Sequence, residues 1–220
     1  MRIRTSAVLL SGIAALAATF ASVVVSADDG DAGLLERARA IFKQLPADAG
    51  TPERPVTPPM VTLGRALFFE TRVSTDGRQS CAACHNPSLY GSDAMGTSVG
   101  NAGRGLPRNV PTVFNTALQF KQHYGGNRED VEEQALKALV SPLAYGNADY
   151  GAAEARLRAI PGYLALFKAA FPNDASPVTA VNWATAIGAY ERTLLTPAPF
   201  DAFLNGDIRA IGPQAKRGLD

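Results

Sequence analysis

Five consecutive residues, Cys81-Ala82-Ala83-Cys84-His85, constrain this 220-residue chain more than any other feature, because they hold both of its cysteines. Cys-x-x-Cys-His is the attachment signature for c-type haem. Each thiol adds to a vinyl group of the porphyrin, and the spacing brings both sulfurs to one edge of the ring. The next residue, His85, then lies under the iron and supplies the proximal imidazole. A thioredoxin-like redox pair would follow a strand in a βαβ unit, and no such alternation surrounds Cys81. A zinc site needs further ligands, and the chain offers no third cysteine and only one other histidine, His123. A disulfide across two residues closes a loop too small to stabilise a fold much. The motif predicts one covalently held haem c, with His85 as its metal ligand.

The start of the chain supports that reading. Arg2 and Arg4 precede an almost uninterrupted apolar run over 7–25, then Val25-Ser26-Ala27 and the acidic Asp28-Asp29-Gly30-Asp31. Small residues at an abrupt polar shift are what signal peptidase cuts. An uncleaved anchor is the rival, since the run nears the length of a membrane span. The expectation is a signal peptide over 1–27, cleavage, and a mature protein in the periplasm with no membrane span left. Formal net charge is +1, which gives no reason to expect nucleic acid or a strongly charged partner. Hydrophobic residues at 46% and charged residues at 19% suit a folded core.

The rest reads as helical. Leu34, Leu35, Ala38, Ile41 and Phe42 have helical spacing and predict a helix over 31–45, ended by Pro46. Residues 51–59 are proline-rich and read as a linker. A short helix is expected over 63–70, and a Gly/Ser/Asn/Pro-rich loop over 86–111. Asn127 is read as the cap of a helix running to about Val140. Helices follow over 154–160 and 163–171, and another starts at Ser176-Pro177 and runs through Thr193. No alternating apolar stretch is long enough for a sheet.

Several motifs recur together: Leu63-Gly-Arg-Ala-Leu-Phe-Phe-Glu-Thr-Arg-Val-Ser-Thr-Asp-Gly77, Ser80-Cys-Ala-Ala-Cys-His85, and Arg108-Asn-Val-Pro-Thr-Val-Phe-Asn115. Glu132-Glu-Gln-Ala135, Tyr190-Glu-Arg-Thr-Leu194 and Phe200-Asp-Ala-Phe-Leu-Asn-Gly206 follow in order. From about residue 58 to 219 the chain resembles the bacterial dihaem cytochrome c peroxidases. The resemblance implies an all-α, cytochrome c-like haem domain with long loops over 28–196. Residues 197–220 would then be an interdomain segment, the start of a truncated second haem domain. In that family the first haem reacts with hydrogen peroxide, and the second receives electrons and passes them across. The implied activity is reduction of hydrogen peroxide with electrons from a small periplasmic donor protein. A single-haem electron-transfer cytochrome and an inactive fragment are the alternatives.

Gln134 matches the family's distal glutamine. Asn101 stands where the family often has a distal-loop histidine, Ala144 where it has the catalytic glutamate, and Tyr124-Gly-Gly-Asn127 where it has Trp-Asp-Gly-Arg. A distal acid-base group is worth about a hundred- to ten-thousand-fold in rate. With Ala144 in place, Asp149, Glu133 or water would have to move the proton. Arg108 and Arg104 are candidates to pair with the haem propionates. His123 and Met95 are candidate sixth ligands, although a surface position is the simpler reading of His123 and packing or exposure that of Met95. Tyr124 and Phe114 are expected beside the porphyrin, and Trp183 in the core.

Overall fold

Capping chemistry, more than hydrophobic pattern, sets where the helices of this protein begin. The computed structural model describes residues 29–220; the expected signal segment at 1–27 lies outside them. Thr57 accepts the Met60 N–H and starts α2 (Pro58–Phe68), with Pro58 and Pro59 in the first turn. The presumed linker therefore ends inside a helix, because proline loses nothing where an N–H has no helical acceptor. Asp130, not Asn127, caps α4 (Val131–Val140) by accepting the Glu133 N–H at 2.7 Å. Asn127 is held out of the helix because Gln122 pairs with Arg128, N to O, at 2.9 Å. Asp149 caps α5 (Tyr150–Ala159), and Gly162 precedes α6 (Tyr163–Ala170).

Thr179 caps α7 (Ala180–Glu191), three residues beyond the expected Ser176. The Pro177 carbonyl accepts Thr179 N and Asn182 Nδ2, so 176–179 forms a turn. The first helix, α1, spans Asp29–Ile41 and stops short of Leu45. A residue before proline is driven from helical geometry, and Leu45 N instead donates to Asp201 Oδ1 at 2.9 Å. Three short elements escaped the periodicity reading: α3 (Cys81–Cys84), α8 (Pro199–Leu204) and α9 (Pro213–Leu219). Among the described residues there is no strand, only three isolated antiparallel bridges. The fold is all-α and cytochrome c-like, with long loops.

The core is built around α7, whose residues are buried on nearly every side; α2, α4 and α5 pack against it, and α6 packs on α2 and α5. Gly64 of α2 lies so close to α7 that a Cβ there would overlap the Ala186 carbonyl. Trp183 is 1% exposed, a core residue as expected. A second, smaller cluster joins Leu34 and Ala38 of α1 to Phe203 and Leu204 of α8. Polar contacts fix it: Arg39 donates to the Leu204 carbonyl, Lys216 pairs with Asp31, and Arg37 pairs with Asp220. The segment between α1 and α2 is tied to the end of α7 where Ala49 N donates to the Arg192 carbonyl and Arg192 Nη1 donates back to Ala49 O.

Candidate functional site

Ser80 organises the site from below. Its hydroxyl accepts the Ala83 N–H at 3.1 Å and starts the single turn α3. In that turn Cys81 and Cys84 stand three apart and therefore on one face, and His85 follows as the C-cap. Both thiols are free. The Tyr145 hydroxyl accepts the Cys81 N–H at 3.1 Å and lies 3.5 Å from Cys81 Sγ. Burial, and secondarily the carboxyl of Glu191, pushes the Cys81 thiol up to about 12, and burial raises Cys84 as well. Neither thiol ionises near neutrality.

The imidazole of His85 is fixed by two main-chain acceptors. Nδ1 lies 3.2 Å from the Gly91 carbonyl and 3.0 Å from that of Pro111. Carbonyls only accept, so Nδ1 carries the proton and Nε2 presents its lone pair. Burial lowers the proton affinity of the ring, which keeps it neutral. Gly91 has φ +72°, and a Cβ there would lie 2.9 Å from Thr112 Oγ1. Only glycine lets these two loop segments approach so closely.

Cys81, Cys84 and His85 open onto a cavity of about 710 Å³, within the range of roughly 300–1,000 Å³ that cofactor sites occupy. Segments 106–113 and 122–128 form its mouth. They are latched: Tyr124 Oη donates to Asn109 Oδ1 at 2.7 Å, and the Arg108 guanidinium sits 5.5 Å from the Tyr124 ring centre. α4 contributes Gln134 and Ala138, and the following turn contributes Ala144 and Tyr145. Two buried polar atoms of the lining have no partner, Gln134 Oε1 and Arg128 Nε. Orphaned buried groups are costly, and a ligand with a hydrogen-bond donor and carboxylates would satisfy both. Paired thiols, an imidazole with a free Nε2, flanking arginines and orphaned polar atoms together fit a haem.

The structure gathers most of the expected residues. Arg108 and Gln134 line the cavity with the Cys-Cys-His turn, as do Ala144 and Tyr124. His123 lies at the mouth and is exposed. Arg104, Met95 and Phe114 are not in the lining, and Met95 is half exposed. Asn101 is buried elsewhere and accepts from Thr75 Oγ1. Neither candidate substitute for the missing acid reaches the cavity. Asp149 is spent capping α5, and Glu133 is paired with Lys137 and accepts the Glu129 N–H. Arg128 and Glu191 also line the cavity. Glu191 lies in the Tyr190-to-Leu194 motif, which by itself gives it no site role, and Arg128 carries no local signal, since only tertiary closure turns it inward.

A family model described as di-haem cytochrome c peroxidase matches residues 58–209. The chain is 37% identical to the cytochrome c551 peroxidase of Pseudomonas aeruginosa over 209 residues, covering 94% of this chain and 59% of that one. It is 36% identical to the methylamine utilization protein MauG of Methylorubrum extorquens, over 97% of this chain and 60% of the relative. Among solved structures, a MauG-like protein associated with microbial copper homeostasis superposes with a TM-score of 0.70 at 26% identity, over 82% of this chain and 53% of that one. The chain thus spans about three fifths of the length of these curated relatives.

Proposed function

Because the chain belongs to the di-haem cytochrome c peroxidase family, we propose that it is an exported haem c protein that reduces hydrogen peroxide with electrons from a small periplasmic donor protein. The observation that carries the reading is the convergence of Cys81, Cys84, His85, Arg108 and Gln134 on one cavity. Cys81 and Cys84 would hold the porphyrin through thioether bonds, and His85 Nε2 would ligate the iron. A haem bound there would supply an iron that exchanges one electron and reacts with peroxide. The His85 Nδ1–H bonds to two carbonyls make the ligating nitrogen a better electron donor. Arg108 and Arg128 are suited to the propionates, and Gln134 Oε1 is placed to accept a hydrogen bond from hydrogen peroxide entering the cavity. Export to the periplasm is supported by the 1–27 pattern and by where c-type cytochromes mature.

A second reading, a single-haem electron-transfer cytochrome, is favoured by one observation. Ala144 lines the cavity where the resemblance expects a carboxylate, and Asp149 and Glu133 are committed elsewhere. The deciding experiment is production in cells competent for cytochrome maturation. Added porphyrin mass with a Soret band establishes the haem, and an N-terminus at Asp28 establishes export. Peroxide consumption by the reduced protein, lowered in Gln134→Leu, supports the peroxidase. A haem protein whose spectrum ignores peroxide supports the relay.

A further inference from the structure

Three acidic side chains of the described residues are buried, Glu70, Glu132 and Glu191. Two are fully partnered. Glu70 accepts from Arg72 and Tyr163, and Glu132 takes a two-pronged bond from Arg192, Nε and Nη2 each at 2.9 Å. Glu191 is 8% exposed, lines the cavity with Cys81, and receives no hydrogen bond at its carboxyl from any described residue. Its sequence neighbour Arg192 cannot help, because that guanidinium is bound to Glu132 and the Ala49 carbonyl. A carboxyl this buried and without a hydrogen-bond partner among the described residues is costly as a carboxylate. It sits where a cleft can use it.

The groups around it narrow what it can respond to. Glu132 on α4 and Arg192 after α7 form an ion pair, Glu132 raising the proton affinity of Glu191 and Arg192 lowering it. Cys81 on α3 loses its thiol if a haem is attached, and Tyr190 on α7 stays a neutral phenol because burial raises it. Arg65 lies beyond Tyr190, and Tyr145 beyond Cys81. The cavity lining also carries His85, Arg108, His123, Arg128 and Lys137, and the charge that would change there on electron transfer is that of the haem.

We propose that Glu191 is a proton-loading site for the haem: its carboxylate takes one proton from water as the iron takes one electron, and releases it on reoxidation. This rests on the haem reading above. The balance is one electron from a one-electron donor to ferric iron, giving ferrous iron, and one proton from solvent to the carboxylate, giving the acid. Coupling is strong because a unit change of charge is poorly screened at a buried site. Burial, and then the repulsion of Glu132, already lift the acid to about 8. Its proton affinity thus lies where a single nearby charge decides occupancy.

The test is electrode titration of the full-length holoprotein. In the wild type, the reduction equilibrium shifts by up to tenfold per pH unit near neutrality, about 59 mV for one electron. In Glu191→Gln that slope disappears while the Soret band and thermal midpoint stay. Persistence of the same slope in the variant overturns the proposal. Redox-difference infrared spectra of wild type grown on ¹³C-glutamate supply a readout independent of the variant's folding. A protonated-carboxyl band that grows on reduction and moves with the label supports the proposal, and its absence overturns it. Failure of the haem reading is distinguishable, because no Soret band would exist to titrate.

Discussion

The phenol of Tyr145 anchors Cys81 twice, accepting its backbone N–H at 3.1 Å and touching its sulfur at 3.5 Å. Tyr145 is itself braced edge-on by Trp183, with ring centres 5.5 Å apart. The first residue of α3 is thereby tied to the centre of the core.

Tyr145→Phe keeps the ring and its packing but strands the Cys81 N–H. Leaving a buried donor unmade costs about 1–3 kcal/mol. Urea unfolding of the variant should show that loss, with reduced haem loading in maturing cells. An unchanged midpoint would mean that water replaces the phenol at no cost.

Before haem attachment the thiols should be sluggish. Lifting Cys81 from 9.0 to about 12 lowers its thiolate population on the order of a thousandfold near neutrality. Alkylation of the apoprotein followed by peptide mass spectrometry should find Cys84 modified before Cys81, and Cys81 far more slowly than a free peptide thiol.

Arg192→Met should be severely destabilising. It leaves Glu132 buried without its two-pronged partner and cuts the link to Ala49. Breaking a buried pair from one side costs about 3–5 kcal/mol. Adding Glu132→Gln should restore much of the loss, a coupling that a double-mutant cycle measures directly.

The acid limb of stability should report Glu70. Arg72 first, then the main-chain N–H of Arg72 and the Tyr163 hydroxyl, hold its carboxyl below the ordinary 4.5. The unfolded chain therefore binds this proton more readily. The stabilisation is present above 4.5 and fades as pH falls through the lowered folded value. Glu70→Gln should flatten the stability–pH profile on that acid side and leave its shape near neutrality unchanged.

Much of the site was legible because its chemistry is local. The Cys81-to-His85 turn needs no distant residue to be recognised, and the motif at 108–115 and Gln134 reach the same cavity. Helix starts were less legible. Asn127 and Asp130, or Ser176 and Thr179, are all acceptable caps, and the choice is made by tertiary bonds such as that from Gln122 to Arg128. A four-residue helix such as α3 has no period to detect. Arg128 differs from other charged residues only in which way the folded backbone turns it, and the motif that holds Glu191 does not tell which of its side chains faces the cavity.

The Gly91 carbonyl accepts both the His85 Nδ1–H and the Val113 N–H, at 3.2 Å each. One oxygen is therefore shared between the imidazole and a strap of chain that lines the cavity. Any sway of that strap stretches or relaxes the bond behind the ring and so changes how strongly Nε2 donates. The cavity wall and the nitrogen that would hold the metal are thus joined through a single carbonyl.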